Sequence, residues 1–309
     1  MSKTILIATK KPFSANAKAK ATAILEEAGY QVRLLERYQD ESELLDAVTE
    51  ADALIVRSDK IHSGVLDAAK ALKLVVRAGA GYDSIDTATA KERGVAVMNT
   101  PGQNANAVAE LVFGLLVFSA RGQFDGKPGT ELMGKRLGIH ALGNVGKNVL
   151  RIAKGFGMEV SAYDPFLTDE QIRAAGARPA ASVEALYAGA DVLSLHIPAT
   201  DETRGSIGKA LLTSMPKGAV LVNTARAEVI DEAGLIEALK ERSDLRYLTD
   251  IAPSDETDAA LRELGERYYR TPKKMGAQTE EANANAATAG ARQLIAFFEK
   301  GERPNVVND

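Results

Sequence analysis

The sequence contains no cysteine and no tryptophan, and only three of its 309 residues are histidine. Without cysteine, the chain has neither disulfides nor thiolate metal sites. No apolar run approaches the ~20 residues of a membrane-spanning helix. The net charge of −4 argues against a surface for nucleic acid or anionic membranes. We therefore predict no metal, nucleic-acid or membrane partner. Because the N-terminus has no signal-peptide pattern, we also predict a cytoplasmic location.

Short apolar strands alternate with helical patterns, which is typical of an α/β fold with parallel, doubly wound sheets. The predicted strands are 4–8, 32–35, 53–56, 74–77, 95–98, 136–139, 160–163, 192–195, 219–223 and 245–250, and long helices are predicted at 104–121 and 280–300. We expect a flavodoxin-like substrate-binding domain, residues 1–98 and 280–309. A Rossmann cofactor domain, residues 99–279, is inserted into it. Ligands should bind beyond the carboxyl ends of the strands, in the cleft between the domains.

Residues 137–164 have the pattern strand, glycine turn, helix, strand and acid that binds dinucleotides. The candidate phosphate-binding residues are Gly143, Asn144, Val145 and Gly146. Asp164 lies about 20 residues further on, where an acid binds the ribose hydroxyls and repels a 2′-phosphate, so NAD is favoured over NADP. The first glycine of the usual motif is replaced by Ala141. The alternative is a structural turn between strand and helix.

Arg226 follows a buried-looking strand at 219–223, at the end where ligands bind. A guanidinium can hold a carboxylate through two parallel hydrogen bonds and stays charged at any working pH. Arg226 is therefore a candidate for orienting a carboxylate substrate and polarising its carbonyl oxygen. The alternative is a surface arginine in the first turn of a helix.

Five segments together resemble the D-2-hydroxyacid dehydrogenase family, most closely its short D-3-phosphoglycerate dehydrogenases without a regulatory domain. They are VRSD at 56–59, RAGAGYD at 77–83, NTPGQN at 99–104 with AEL at 109–111, LHIP at 195–198, and NTAR at 223–226. The resemblance implies NAD-dependent oxidation of 3-phospho-D-glycerate to 3-phosphohydroxypyruvate, in serine biosynthesis. It also implies hydride transfer to the nicotinamide. The alternatives are another D-2-hydroxyacid dehydrogenase, a glyoxylate or hydroxypyruvate reductase, and a non-catalytic protein that senses NAD(H).

The resemblance also implies roles for further residues. The N–H groups of Gly79 and Ala80 would bind the substrate carboxylate. The cations at strand ends, Arg57 and Arg77 with Lys60 as a further candidate, would bind the phosphate. Asn104 would bind substrate, cap the following helix, or do both. The expected cofactor contacts are His196, Pro198, Thr224 and Asp250.

The chain departs from the family in the residues that move the proton. The family histidine, in a Pro-His-x-Gly-Ala pattern, has no counterpart in the segment 271–279. Aligned backwards from 276–279, Lys274 takes its place, and aligned forwards from 271–272, Lys273 does. Lys274 is favoured because the downstream match continues through residue 282. The family's glutamate before proline is also missing, with Asp255 and Glu256 as weak substitutes.

The two losses are chemically coherent. A histidine needs a carboxylate to fix its tautomer, whereas a lysine has no tautomer to select. The three histidines of the chain, His62, His140 and His196, do not fit the catalytic position.

The helix predicted at 104–121 carries apolar residues on several faces. A helix that is apolar all round is buried. The corresponding helix of the family lies in a dimer interface, so we predict a homodimer through this region. The alternative is a helix packed between the two domains of one chain.

Overall fold

The structure, a computed structural model, describes residues 2–309. It divides into two compact units. The first unit runs to Asn104 and resumes at Gln278–Asp309, and the second unit is Ala105–Ala277. The second unit is therefore an insertion in the sequence of the first.

The first unit contains a five-stranded parallel sheet with the order β2-β1-β3-β4-β5. This order is flavodoxin-like. Its strands are β1 Thr4–Thr9, β2 Gln31–Glu36, β3 Ala53–Val56, β4 Leu74–Arg77 and β5 Ala96–Asn99. Its helices are α1 Ala15–Glu27, α2 Glu41–Val48, α3 Ser63–Ala68, α4 Thr87–Glu92 and α12 Glu280–Lys300.

Both faces of this sheet are covered at β1 and β3, which explains their nearly continuous apolar runs, whereas the edge strand β2 is largely exposed. In β1, Ile5 and Ile7 belong to a core on the side of α1 and α12, whereas Leu6 and Ala8 belong to a core on the side of α2 and α3. The alternation follows from the two-residue period of a strand. The final helix α12 packs along α1.

The second unit contains a seven-stranded sheet with the order β12-β11-β10-β9-β6-β7-β8, again parallel in every ladder between named strands of residues 2–309. This is the Rossmann order with one more strand at the β12 edge. Its strands are β6 Arg136–His140, β7 Glu159–Tyr163, β8 Arg178–Pro179, β9 Val192–Leu195, β10 Val220–Asn223, β11 Arg246–Thr249 and β12 Tyr268–Arg270. Its helices are α5 Ala105–Ala120, α6 Asn144–Gly155, α7 Asp169–Ala175, α8 Val183–Ala188, α9 Lys209–Ser214, α10 Glu232–Glu241 and α11 Asp255–Arg262.

The predicted fold class, two doubly wound parallel sheets of Rossmann and flavodoxin-like type, is confirmed. The sequence did not indicate β8 or β12. Both are edge strands, and the first has only two residues, one of them proline, whereas the second is the three-residue segment Tyr-Tyr-Arg. Neither presents the apolar run by which a buried strand is detected.

The helix α5 packs along α6, and its Phe118 also contacts the ring of Tyr269. Val112, Phe113, Leu115 and Leu116 are buried in the core of the second unit. Glu110 and Gly114 are exposed, and Leu111, Val117 and Phe118 are only partly buried. Within one chain, α5 is therefore covered in part, and the predicted dimer interface stays a prediction.

No helix among residues 2–309 is long and apolar enough to cross a membrane. The same residues contain no cluster of three or more acidic or histidine side chains that could hold a metal ion.

Candidate active site

The candidate residues of the second unit lie at the carboxyl ends of its strands. Because the strands are parallel, these ends are all on the same side of the sheet. The glycine turn follows β6, Asp164 follows β7, His196 follows β9 and Arg226 follows β10. Asp250 follows β11, and the segment 271–276, which contains Lys274 and is called the lysine loop below, follows β12.

The turn after β6 leads directly into α6. Gly143 precedes the helix in an extended conformation, and Asn144, Val145 and Gly146 form its first turn. The N–H groups of a first turn have no partner within their own helix, so they are available to an anion. A Cβ atom at Gly146 would overlap the carbonyl oxygen of Ala141. Gly146 therefore permits close packing of helix and strand, as the sequence predicts.

Ala141 occupies the place of the first glycine and has a φ of 77°. This left-handed conformation costs an alanine roughly 1–2 kcal/mol, which explains why glycine is usual there. Replacing Ala141 by glycine would remove this strain. The net gain in stability is smaller than the strain, because glycine loses more conformational entropy on folding, which costs about 0.4–1 kcal/mol.

We expect Ala141→Gly to raise the free energy of unfolding by about 0.5–1 kcal/mol. Urea unfolding measures it, with Ala174→Gly as the matched control. Ala174 is exposed within α7, so glycine there should lower the stability by about 0.5–1 kcal/mol. Equal losses in the two variants would contradict the strain at Ala141.

Asp164 supports the glycine turn. Its Oδ2 accepts a hydrogen bond from the N–H of Leu142 at 2.9 Å, and its Oδ1 accepts one from the N–H of Phe166 at 3.0 Å. The sequence did not reveal these contacts. The half-buried carboxylate keeps further lone pairs for ribose hydroxyls.

Two histidines lie beside this turn. His140 ends β6, is 7 % exposed, and its Nδ1 lies 3.3 Å from the hydroxyl oxygen of Tyr187. His196 is half-buried and its Nε2 lies 2.9 Å from Oγ of Ser194. Pro198, two residues further on, is exposed. Burial lowers the pKa of His140 to about 4 and the pKa of His196 to about 3, and the charge of His140 also lowers the latter.

Both histidines are therefore neutral at pH 7, and acidification should destabilise the second unit. Between pH 6.5 and 4, His140 is protonated in the unfolded chain but stays neutral in the folded protein. The free energy of unfolding therefore falls as the pH falls. For His140 alone we expect a loss of about 2 kcal/mol between pH 7 and pH 5. Urea unfolding at the two pH values measures it. His140→Leu should reduce the pH dependence, and an equally pH-dependent variant would contradict the assignment.

Arg226 lies on a turn that Asn223, the last residue of β10, organises. The Asn223 Oδ1 accepts a hydrogen bond from the N–H of Ala225 at 2.9 Å, and its Nδ2 donates to the carbonyl oxygen of Arg226 at 2.8 Å. The guanidinium Nη1 of Arg226 donates to the carbonyl oxygen of Ala225 at 2.9 Å. Sequence reasoning missed Asn223, although an asparagine at a strand end is a recognised signal for such a turn.

The lysine loop begins after β12. Lys273 and Lys274 are both exposed. The carboxylate of Asp250 accepts hydrogen bonds from this loop, at Thr271, Met275 and Gly276. Asp255 and Glu256, the weak substitutes for the family's glutamate, are exposed in the first turn of α11.

In the first unit, Arg57 follows β3 and holds the chain after β1. Its Nη1 donates to the carbonyl oxygens of Lys11 at 3.2 Å and Pro12 at 2.6 Å, and its guanidinium stacks on the ring of Phe13 at 5.3 Å. Lys60 is exposed. The structure thus gives Arg57 a local role beside the phosphate contact implied by the sequence.

Buried Asp59 organises the same strand ends. Its carboxylate accepts hydrogen bonds from the N–H groups of Lys10 at 2.6 Å and Arg57 at 3.2 Å, and from the hydroxyl of Tyr38 at 2.7 Å. Burial and the contact with Asp59 raise the pKa of Tyr38 well above its usual value. Sequence reasoning did not single out Asp59, whose importance depends on a tertiary contact.

The turn after β4 contains the predicted carboxylate donors. Gly79 has a φ of 148°, and its N–H donates to the carbonyl oxygen of Arg77 at 2.8 Å. This N–H is therefore already engaged, which the sequence did not show. The carbonyl oxygen of Ala80 accepts a hydrogen bond from Nδ2 of Asn99 at 2.6 Å. The Nη1 of Arg77 donates to the carbonyl oxygen of Ala78 at 3.3 Å. Asn104 immediately precedes α5.

The second unit fits NAD. The first turn of α6 supplies N–H donors for a pyrophosphate, and among residues 2–309 no atom beyond the chain neighbours of Gly143 lies within 4 Å of its Cβ position. The hydroxyl of Thr224, at the carboxyl end of β10, is buried without a hydrogen-bond partner in the described structure. A buried hydroxyl without a partner is costly, so a ligand at this edge would stabilise it.

Comparison with known proteins agrees with this geometry. Residues 117–272 match the model of the D-isomer specific 2-hydroxyacid dehydrogenase, NAD binding domain. A D-3-phosphoglycerate dehydrogenase of Methanocaldococcus jannaschii is 38% identical over 303 residues, covering 93% of this chain and 57% of the relative. The chain thus spans little more than half the length of that relative. A hydroxypyruvate reductase of Thermotoga maritima is 35% identical over 270 residues, covering 82% of this chain and 86% of the relative.

Among solved structures, the NAD+-bound 3-phosphoglycerate dehydrogenase of Entamoeba histolytica is 43% identical, with a TM-score of 0.90. The likeness covers 100% of this chain and 99% of that one. The family and the NAD cofactor expected from the sequence are confirmed. The chain belongs to the D-isomer specific 2-hydroxyacid dehydrogenases and carries their NAD-binding domain.

Proposed function

We propose that this protein oxidises 3-phospho-D-glycerate to 3-phosphohydroxypyruvate with NAD, the reaction of serine biosynthesis that the family resemblance implies. One observation carries the proposal. Arg226, Asp250 and the lysine loop follow three neighbouring parallel strands, β10, β11 and β12. The arginine proposed to bind the carboxylate and the lysine proposed to move the proton therefore lie at the carboxyl ends of adjacent strands. Two relatives named above, of Methanocaldococcus jannaschii and Entamoeba histolytica, carry the name of this activity.

Each residue has a defined part in the proposal. NAD, when bound, supplies the acceptor for the hydride that leaves the substrate carbon. Arg226 binds the substrate carboxylate and stabilises the oxygen that becomes a carbonyl, because its charge does not depend on pH. Lys274, with a neutral amine, takes the proton of the substrate hydroxyl in oxidation. Its ammonium returns that proton in reduction.

Recognition of the substrate phosphate distinguishes the proposed activity from that of dehydrogenases and reductases that act on unphosphorylated 2-hydroxyacids. The proposed substrate contacts in the first unit are Arg57 and Arg77, the N–H of Ala80, and Asn104. Reduction of 3-phosphohydroxypyruvate should have a kcat/KM at least about tenfold above that of hydroxypyruvate, since a charge-assisted contact contributes roughly 1.5–3 kcal/mol. Equal values for the two ketoacids would refute the phosphate specificity.

A hydroxypyruvate reductase is the second candidate. It is favoured by the relative of Thermotoga maritima, because this chain covers 86% of that protein. The same pair of ketoacids decides between the two activities, and a preference for the unphosphorylated one supports the second.

A non-catalytic protein that senses NAD(H) is the remaining alternative, because the family's histidine has no counterpart in the lysine loop. It would bind NADH but turn over no D-2-hydroxyacid.

The proposal extends to a homodimer through the region 104–121. The supporting observation is the partly exposed apolar side of α5, formed by Leu111, Val117 and Phe118. We expect sedimentation equilibrium to give twice the mass of one chain. Leu111→Asp should shift this equilibrium toward single chains, because a buried unpaired carboxylate opposes association. A wild-type protein that sediments as a single chain would contradict the dimer.

A further inference from the structure

Asp250 is a buried carboxylate whose side-chain hydrogen bonds run to the lysine loop. It is 2 % exposed. Its Oδ1 accepts hydrogen bonds from Oγ1 of Thr271 at 2.7 Å and from the N–H of Met275 at 2.9 Å, and its Oδ2 accepts one from the N–H of Gly276 at 2.8 Å. The sequence predicts a cofactor contact for this residue, whereas the structure adds a contact with the loop.

These three contacts fix the loop on both sides of Lys274. Thr271 lies before the lysine, and Met275 and Gly276 lie after it. The N–H of Met275 belongs to the peptide plane that contains the carbonyl group of Lys274, and this plane is rigid. Anchoring that N–H therefore restricts the backbone of Lys274 itself. Hydrogen bonds to an ionised acceptor are about twice as strong as neutral ones, so the restriction is substantial.

The start of the loop has a second anchor. The Nη1 of Arg270 donates to the carbonyl oxygens of Thr271 at 3.2 Å and Pro272 at 3.4 Å. Its other nitrogens, Nε and Nη2, pair with Asp258 at 3.0 Å and 3.1 Å. Arg270 thus anchors the first residues of the lysine loop, and Asp250 anchors its last residues.

We infer that Asp250 is the positioning residue of Lys274. It holds the backbone on which the lysine is carried, and so takes over the orienting task that a glutamate performs for the family's histidine. The inference rests on the proposed role of Lys274. A lysine on a long flexible stem gains from a fixed backbone, because misplacement of a reacting group by about 1 Å can lower the rate about 100-fold.

Asp250→Asn and Thr271→Val test the inference. The asparagine keeps the shape of the side chain but turns an acceptor toward an N–H group into a donor. The valine removes only the hydroxyl donor of the loop. The matched control is Asp244→Asn, since Asp244 accepts a hydrogen bond from the N–H of Gly218 at 2.6 Å, at the opposite, amino end of β10 and β11.

Three quantities are measured on the full chain: kcat for 3-phospho-D-glycerate, the dissociation constant of NAD, and the rate of tryptic cleavage after Lys273 and Lys274. We expect Asp250→Asn to lower kcat about 10- to 100-fold and Thr271→Val to lower it about threefold to tenfold, in line with misplacement of a reacting group. The dissociation constant of NAD should change less than about threefold in both, because the first turn of α6 is untouched. Cleavage in the loop should accelerate, because release of the anchors allows local opening. Asp244→Asn should leave kcat and loop cleavage unchanged.

The outcomes separate the two claims. A tenfold weaker binding of NAD by Asp250→Asn with unchanged loop cleavage would make Asp250 a cofactor contact and overturn the inference. Faster cleavage with an unchanged kcat, in a protein that Lys274→Ala inactivates, would overturn the positioning role alone. An unchanged kcat in Lys274→Ala itself would refute the proton-transfer role of Lys274 and with it the inference, whereas absence of turnover in the wild-type protein would refute the proposed function.

Discussion

Replacement of Lys274 by alanine should lower kcat about 10²- to 10⁴-fold, which is the usual contribution of a general acid or base. The dissociation constant of NAD should remain nearly unchanged, because the first turn of α6 and Asp164 belong to other strand ends of the sheet. Steady-state kinetics in the oxidative direction and titration with NAD measure the two effects.

Lys273→Ala is the matched control, since the two lysines are adjacent in the same exposed loop. It should lower kcat by less than about threefold, because surface changes away from the reacting atoms have small effects. A Lys274→Ala enzyme with normal kcat and a raised KM would show that the lysine binds the phosphate and moves no proton.

The pH dependence of the reaction gives independent evidence on Lys274. Oxidation requires a neutral amine, and a rising pH favours the neutral form of a lysine, so oxidation should become faster toward alkaline pH. Lys274→Ala should lose this alkaline rise. If the rise persists in the variant, another group limits oxidation.

Replacement of Arg57 by alanine should lower kcat/KM for the phosphorylated substrate about 10- to 100-fold, since a charge-assisted hydrogen bond contributes roughly 1.5–3 kcal/mol. The unphosphorylated hydroxyacid should lose much less. The comparison of the two substrates is essential because Arg57 also holds the carbonyl oxygens of Lys11 and Pro12. A general disturbance of that segment would lower both values.

Arg57→Lys is the informative second variant. It keeps the charge but has no planar fork, so it should recover part of the phosphate discrimination. If Arg57→Ala lowers kcat/KM equally for the two substrates, Arg57 stabilises the segment after β1 and another cation binds the phosphate.

The fold could be predicted because its signals are local. Four-residue apolar strands such as Ala53–Val56 and Val192–Leu195 are buried along their whole length, and they read as strands without any tertiary knowledge. The glycine turn could be predicted for the same reason, since Gly146 is required by the close approach of α6 to the carbonyl group of Ala141.

The supporting contacts of the site could not be predicted, because they join distant parts of the chain. Asp250 reaches Gly276 across 26 positions, and Asp164 reaches back to Leu142 across 22. Nothing in the sequence shows that these carboxylates accept hydrogen bonds from backbone N–H groups. The engaged N–H of Gly79 and the left-handed conformation of Ala141 are likewise backbone details that residue types alone do not reveal.

The formation of NADH by the wild-type protein from NAD and 3-phospho-D-glycerate tests the central claim most directly. We expect sustained turnover, faster at alkaline pH and with a higher kcat/KM than for D-glycerate or D-lactate. Binding of NADH without turnover of any D-2-hydroxyacid would contradict it and identify a protein that senses the dinucleotide.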